Sequence, residues 1–197
     1  MNPANRSDLR STGTANTPIL ASLARLRAYS ATEKPIAVLH LGEDALAAAW
    51  AMQGQAVHVS SVSLGLQTLA DRYLSAECVS PLKVEQAIAE IEDTVMPWHK
   101  QLNDTVQLFT EDTVVAELAH WAGMPSDARS WLFTTEMVEA LFNRWVARIQ
   151  GRPFSQDPLP VAGKLAAALL VLREWLHHLR FEHITVLIHE LPAAPPH

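Results

Sequence analysis

Three short apolar runs follow one another between residues 36 and 62, separated by two turn signals. Ile36–Leu41 (IAVLHL) stops at Gly42-Glu43-Asp44, Ala45–Met52 stops at Gln53-Gly54, and Ala56–Val62 (AVHVSSV) alternates in character. Strands joined by turns this tight fold back as antiparallel neighbours, because a parallel return needs a crossover of about a dozen residues. The pattern therefore predicts an antiparallel meander at the front of the domain.

Helical periodicity takes over afterwards. Thr17-Pro18 opens a helix with Leu20, Leu23 and Leu26 on one face, proline suiting the first helical position. Ser80-Pro81 opens another, striped by Val84, Ile88, Ile91 and Val95. Thr105–Phe109 (TVQLF) reads as a strand, and Thr113–Trp121 as a helix ending at Gly123. Thr134 or Thr135 caps a helix striped by Val138, Leu141, Phe142, Trp145 and Ile149. Leu165, Leu169, Leu172, Leu176 and Leu179 mark the longest helix, and Ile184–Ile188 (ITVLI) a last strand. A meander followed by alternating helices and strands predicts an α/β domain: a five-stranded mixed sheet flanked by helices. Residues 1–17 read as a disordered tail, 18–191 as the one domain, and 192–197 (PAAPPH) as a second tail.

Composition narrows the function. Only 7 of 197 residues are glycine, about half the ordinary share of roughly 7%. There is no GxGxxG and no GxxxxGK[ST], so no dinucleotide or Walker-type phosphate site is supported. The 21 acidic residues outnumber 15 basic ones, which disfavours nucleic acid and anionic membranes as partners. The apolar stretch Val161–Leu179 is broken by Lys164, Arg173, Glu174, His177 and His178, and so reads as a buried helix, not a membrane span. The single Cys78 cannot form an intrachain disulfide, and no N-terminal signal is visible. A cytoplasmic protein is expected.

The stretch IAVLHLGEDALAAAWAMQGQAVHVSSVSLGLQTLADRYL resembles the second domain of the exopolyphosphatase/guanosine pentaphosphate phosphatase (Ppx/GppA) family, whose layout is strand, DIGGGSTEL turn, strand, then a strand ending in S-x-x-x-G before a helix. His40 falls where the family has its aspartate, Gly42 keeps one glycine, and Ser61 and Gly65 match the third-strand motif. Asp71-Arg72-Tyr73-Leu74 resembles the helix end that follows, and Ser80-Pro81 opens a helix where the family has one. The family's second phosphate turn corresponds to Thr110-Glu111-Asp112-Thr113, of which Thr113 alone matches. VLREWLHHLRFEHITV resembles its closing helix and strand. The likeness covers about residues 33–190 and implies a single actin-like (ribonuclease H-like) ATPase domain.

The departures carry the functional expectation. Both phosphate turns are degenerate: His40, Gly42, Glu43 and Asp44 stand in the first, and Thr110, Glu111, Asp112 and Thr113 in the second. The family's arginine after the third strand falls on Thr68, and its closing glycine-rich turn on residues 188–194, which contain neither glycine nor arginine. The family's first domain, which supplies its catalytic glutamate, has no counterpart in the few residues before Ile36. Four carboxylates in the two turns would repel phosphate unless a metal intervened. Hence the expected protein is non-catalytic and works by self-association or partner binding, with no catalytic residues and no cofactor. The alternative is a metal-dependent phosphatase or phosphate-binding protein, in which Glu43, Asp44, Glu111 and Asp112 hold Mg²⁺ and His40 joins a transition-metal site. Solvated carboxylates are the plainer reading of those turns.

Other residues add little to either reading. His177 and His178 are adjacent on a helix and about 100° apart, so together with His183 and His189 they make no ligand pair. Ser61 and Ser63 read as strand residues, not nucleophiles. Trp50, Trp98, Trp121, Trp131, Trp145 and Trp175 fall on core patterns, yet large aromatics also suit interfaces. A lone second domain would expose the face its first domain normally covers, which points to a homodimer or a partner protein on the cleft face, with no nucleic acid and no membrane.

Overall fold

A computed structural model describes residues 13–29, 34–51, 56–76, 79–102, 106–125 and 128–188. Its strands are β1 (Ile36–Leu41), β2 (Leu46–Ala51), β3 (His58–Val62), β4 (Gln107–Thr110), β5 (Ser130–Thr134) and β6 (His183–Leu187). Its helices are α1 (Gly13–Tyr29), α2 (Leu66–Tyr73), α3 (Pro81–Val95), α4 (Thr113–Trp121), α5 (Thr135–Ile149) and α6 (Gly163–Leu179), with a 3-10 turn at Met96–Lys100. Together the strands form one sheet in the order β3-β2-β1-β4-β6-β5.

The expected meander is present, with β1–β2 and β2–β3 antiparallel. β4 pairs parallel to both β1 and β6, and β5 closes the far edge antiparallel to β6. β1 and β2 are covered on both faces, which is why IAVLHL and LAAAWA read as continuous apolar runs and not as alternation. β3, at the edge, is only half-buried over most of its length.

The two faces are covered unequally. Helix α1 lays Ile19, Leu23 and Leu26 on Ile36 and Val38 of β1 and on Ala47, Ala49 and Ala51 of β2. Those alanines leave room for the helix to approach closely. All the other helices pack on the opposite face, where Leu39, Trp50, Leu108, Trp131, Phe133, Ile184 and Val186 meet the larger core. Helix α6 is its centre and buries residues all round, Ala166–Leu172 and Glu174–Leu176 among them. The Trp145 indole N–H, itself buried, donates to the Val161 carbonyl at 3.2 Å.

Several boundaries depart from expectation. The sheet has six strands, not five. The extra strand, β5, runs straight into the Thr134 cap of α5, whose side chain accepts from the Met137 amide at 3.3 Å. With no turn residue between strand and helix, SWLFT carried no boundary signal, although Trp131 and Phe133 point inward and Leu132 outward. Helix α1 starts at Gly13, ahead of Thr17-Pro18, and buries Ile19 where Leu20 was expected; Leu20 is exposed. On α3, Ala87 takes the buried place expected for Ile88. Residues 1–12 and 192–197 of the expected tails, and Cys78, Thr105 and His189, lie outside the described residues.

The β1–β2 turn leans on the start of α2, and this contact shapes the site below. The Leu66 amide donates to the Gly42 carbonyl (2.9 Å) and the Gln67 amide to the Glu43 carbonyl (3.0 Å). Gly65 is buried against that turn: a Cβ there would lie 2.0 Å from the Glu43 carbonyl oxygen. Its φ of −100° is ordinary, so the need for glycine is one of space. Gly65→Ala should therefore destabilise the fold by about 3 kcal/mol, the upper part of the range for overpacking, read as a lowered urea midpoint at unchanged slope.

Candidate functional site

β1, β4 and β6 run in the same direction, so their carboxyl ends share one edge of the sheet. After β1 the chain turns to β2 on one side; after β4 it passes through α4 to β5 on the other. This is a topological switch point, the place where open α/β sheets form their ligand crevice. His40 sits at the end of β1 and Asp112 just past β4, in the two turns singled out from the sequence.

The turns meet through Asp112. Its Oδ1 lies 2.6 Å from His40 Nδ1, and its Oδ2 accepts from the Leu41 amide at 2.6 Å. Facing a carboxylate, His40 Nδ1 is the donor. Asp112 occupies the N-cap position of α4, but its side chain makes no bond to that helix and reaches back to β1 instead. Its own amide donates to the hydroxyl of the fully buried Thr110 at 3.1 Å. The hydrogen bond to Asp112 raises the His40 pKa above the ordinary 6.5, against the opposing effect of burial.

Two more of the four carboxylates have cationic partners. Glu111 accepts from Ser22 and, at 2.6 Å, from Arg25, both on α1. Glu43 pairs with Lys164 in the first turn of α6, an exposed contact of little energetic weight. Asp44 and Thr113 are exposed. The expected concentration of uncompensated negative charge is thus not what the structure contains. Nor do the four carboxylates converge as ligands for Mg²⁺: among the described residues, only a different group brings three ligand atoms together. Ser61 lies in β3 and Ser63 directly after it.

Ser22, Arg25 and Lys164 were not foreseen as neighbours of the turns. Each is far along the chain from its carboxylate, and none stands in a local pattern that announces the contact.

The first turn also uses its own amides. Gly42 N–H donates to the Ala45 carbonyl at 3.0 Å, and the leading amides of α2 are taken by the Gly42 and Glu43 carbonyls. A loop that cradles phosphate turns such N–H groups outward.

No protein-family model matches the sequence, and no curated protein matches it. Solved structures do resemble it. The Ppx/GppA phosphatase of Aquifex aeolicus, in its type II variant, superposes with a TM-score of 0.62 over 88% of this chain and 57% of its own, at 12% identity. An exopolyphosphatase from Cytophaga hutchinsonii gives 0.61 over 79% of this chain and 53% of its own, at 15% identity. The chain has the Ppx/GppA fold. It is an actin-like α/β arrangement, and the chain spans little more than half the length of these neighbours. Identities this low speak for the fold alone.

The coupling of His40 to Asp112 is open to direct test. Because the folded pKa is raised, the stabilisation from this pair is fully present below pH 6.5 and is lost as pH rises through the folded value. Proton NMR should place the His40 titration midpoint above 6.5 in the wild type, and Asp112→Asn should return it towards 6.5.

Proposed function

We propose that this protein is a non-catalytic relative of the exopolyphosphatases, with its phosphate site closed from within, and that it acts by self-association. One observation carries this reading: the Asp112 carboxylate occupies the two donors, His40 Nδ1 and the Leu41 amide, that the switch point would otherwise offer to an anionic ligand. The chain supplies its own anion. A phosphate entering here would have to displace Asp112 from His40 and would meet Asp44 at the mouth.

Self-association is supported by the unequal cover of the sheet. Among the described residues α1 is the one helix on its side, and it lies over β1 and β2. Beyond it, Phe109, Thr185 and Leu132 are register partners across β4, β6 and β5. Leu132 is 51% exposed, with Leu187 half-buried beside it. A second copy placing the same row against this one would bury both by a two-fold contact, the commonest symmetry of soluble oligomers. The tryptophans are not part of this surface: five of the six are buried in the cores.

With Mg²⁺ present, no phosphate should be released from polyphosphate, ATP or pppGpp. Turnover that disappears in Asp112→Ala would overturn the non-catalytic reading in favour of a metal-dependent phosphatase. Light scattering should give the mass of a dimer, reduced to a monomer by Leu132→Asp with unchanged circular dichroism; a wild-type monomer at every concentration refutes self-association.

A further inference from the structure

Away from the switch point, α3 and α6 bring two carboxylates to a single imidazole nitrogen. His178 Nε2 lies 3.1 Å from Glu92 Oε1 and 3.2 Å from Glu174 Oε2, and the three atoms all fall within 4.8 Å of one another. From these contacts we infer a binding site for one first-row divalent transition ion of the Zn²⁺ class, ligated by Glu92, Glu174 and His178. It stands independently of the reading proposed for the cleft.

The donor arithmetic favours a cation. One imidazole nitrogen has a single proton or a single lone pair, and cannot satisfy two anionic oxygens with well-aligned hydrogen bonds. An ion placed among the three atoms satisfies all of them. Ligands about 2.0–2.1 Å from Zn²⁺ stand roughly 2.8–3.4 Å from one another, from octahedral to tetrahedral geometry, a range that includes both histidine–carboxylate separations. Imidazole with two carboxylates suits Zn²⁺, Mn²⁺, Fe²⁺, Co²⁺ or Ni²⁺ better than Mg²⁺ or Ca²⁺, which favour oxygen alone.

The surroundings are those of a built site. Glu174 is buried, with its side chain 2% exposed, and its other oxygen, Oε1, holds Arg173. Arg173 is held in turn by Glu139 at 3.0 Å, and its guanidinium lies 4.4 Å over the Phe142 ring. Outer partners of this kind orient a ligating carboxylate, here turning Oε2 to His178. Glu174 and His178 are one helical turn apart on α6. The α3 side is fixed to α6 by Trp98, just past α3, packing edge-on against Trp175 with ring centroids 4.4 Å apart. Glu92 and His178 remain partly exposed, so an ion has a way in and three protein ligands leave positions for water. The site lies roughly 15–20 Å along α6 from Lys164 and the cleft.

Chelator-treated full-length protein titrated with Co²⁺ should bind one ion per chain and develop visible d–d absorption, and Zn²⁺ should abolish that absorption by competition while Mg²⁺ in excess does not. His178→Gln and Glu92→Gln are both at partly exposed positions, so the fold should tolerate them; each should weaken Co²⁺ and Zn²⁺ binding at least about tenfold. His177→Ala, the neighbouring exposed histidine, should leave binding unchanged. Absence of d–d absorption at stoichiometric Co²⁺ overturns the site. So does folded His178→Gln or Glu92→Gln protein, checked by circular dichroism, that binds the ion as the wild type does.

Discussion

Nearly everything in this molecule is placed by the burial of α6. The helix is buried over most of its surface, from Ala166 to Leu172 and again from Glu174 to Leu176, and packs against the sheet, with α2, α3, α4 and α5 arranged around it. A helix with so little polar surface must be covered over most of its length, and it reaches water at Lys164 near its start and His177 near its end. The consequence is a sheet with five helices on one side and, among the described residues, α1 alone on the other. The same demand explains why Arg173 and Glu174 are paired: a carboxylate 2% exposed within such a helix needs an opposite charge beside it.

The cleft follows from a different economy. In a phosphate turn, glycine lets backbone amides face outward. Here Gly42 and Gly65 serve the close seating of the β1–β2 turn on the start of α2. That seating consumes the carbonyls of the turn and the leading amides of α2 in one set of bonds. The acidic residues of the second turn are likewise tied down, Glu111 to α1 and Asp112 to β1. Few glycines and several carboxylates thus go together in these turns, which are braced by side chains and by their own backbone bonds.

What could be read in advance follows from how local the signal was. β1, β2 and β3 were legible because two turn signals separate three short runs, α3, α5 and α6 because their stripes repeat at helical spacing, and α4 because Gly123 closes it. β5 was not, since it passes into α5 without a break. Leu23 and Leu26 are buried as expected, and Ile19 replaces Leu20 because 19, 23 and 26 keep the i, i+4, i+7 spacing of one helix face, from which a run of threes drifts away. For the site, the resemblance put His40 and Asp112 at the two turns, but not in contact. Their bond, like those of Arg25 and Lys164, depends on the parallel pairing of β1 with β4 and on where α1 and α6 lie. Glu174 and His178 do show an i, i+4 spacing on α6, yet nothing local points to Glu92 on α3.

The two polar clusters are built alike and differ in one count. At the switch point, one carboxylate faces two donors, the His40 imidazole and the Leu41 amide, each with its own oxygen. Each carboxylate oxygen has one donor, so the two sides of this contact are matched. Between α3 and α6 the ratio is inverted: two carboxylate oxygens face one imidazole nitrogen, while Arg173 is turned to the far oxygen of Glu174. Acceptors there exceed donors, and the deficit is of positive charge. The Asp112 carboxylate is therefore matched by its donors, and the place where acceptors outnumber donors is the seam between α3 and α6, where a cation completes the set.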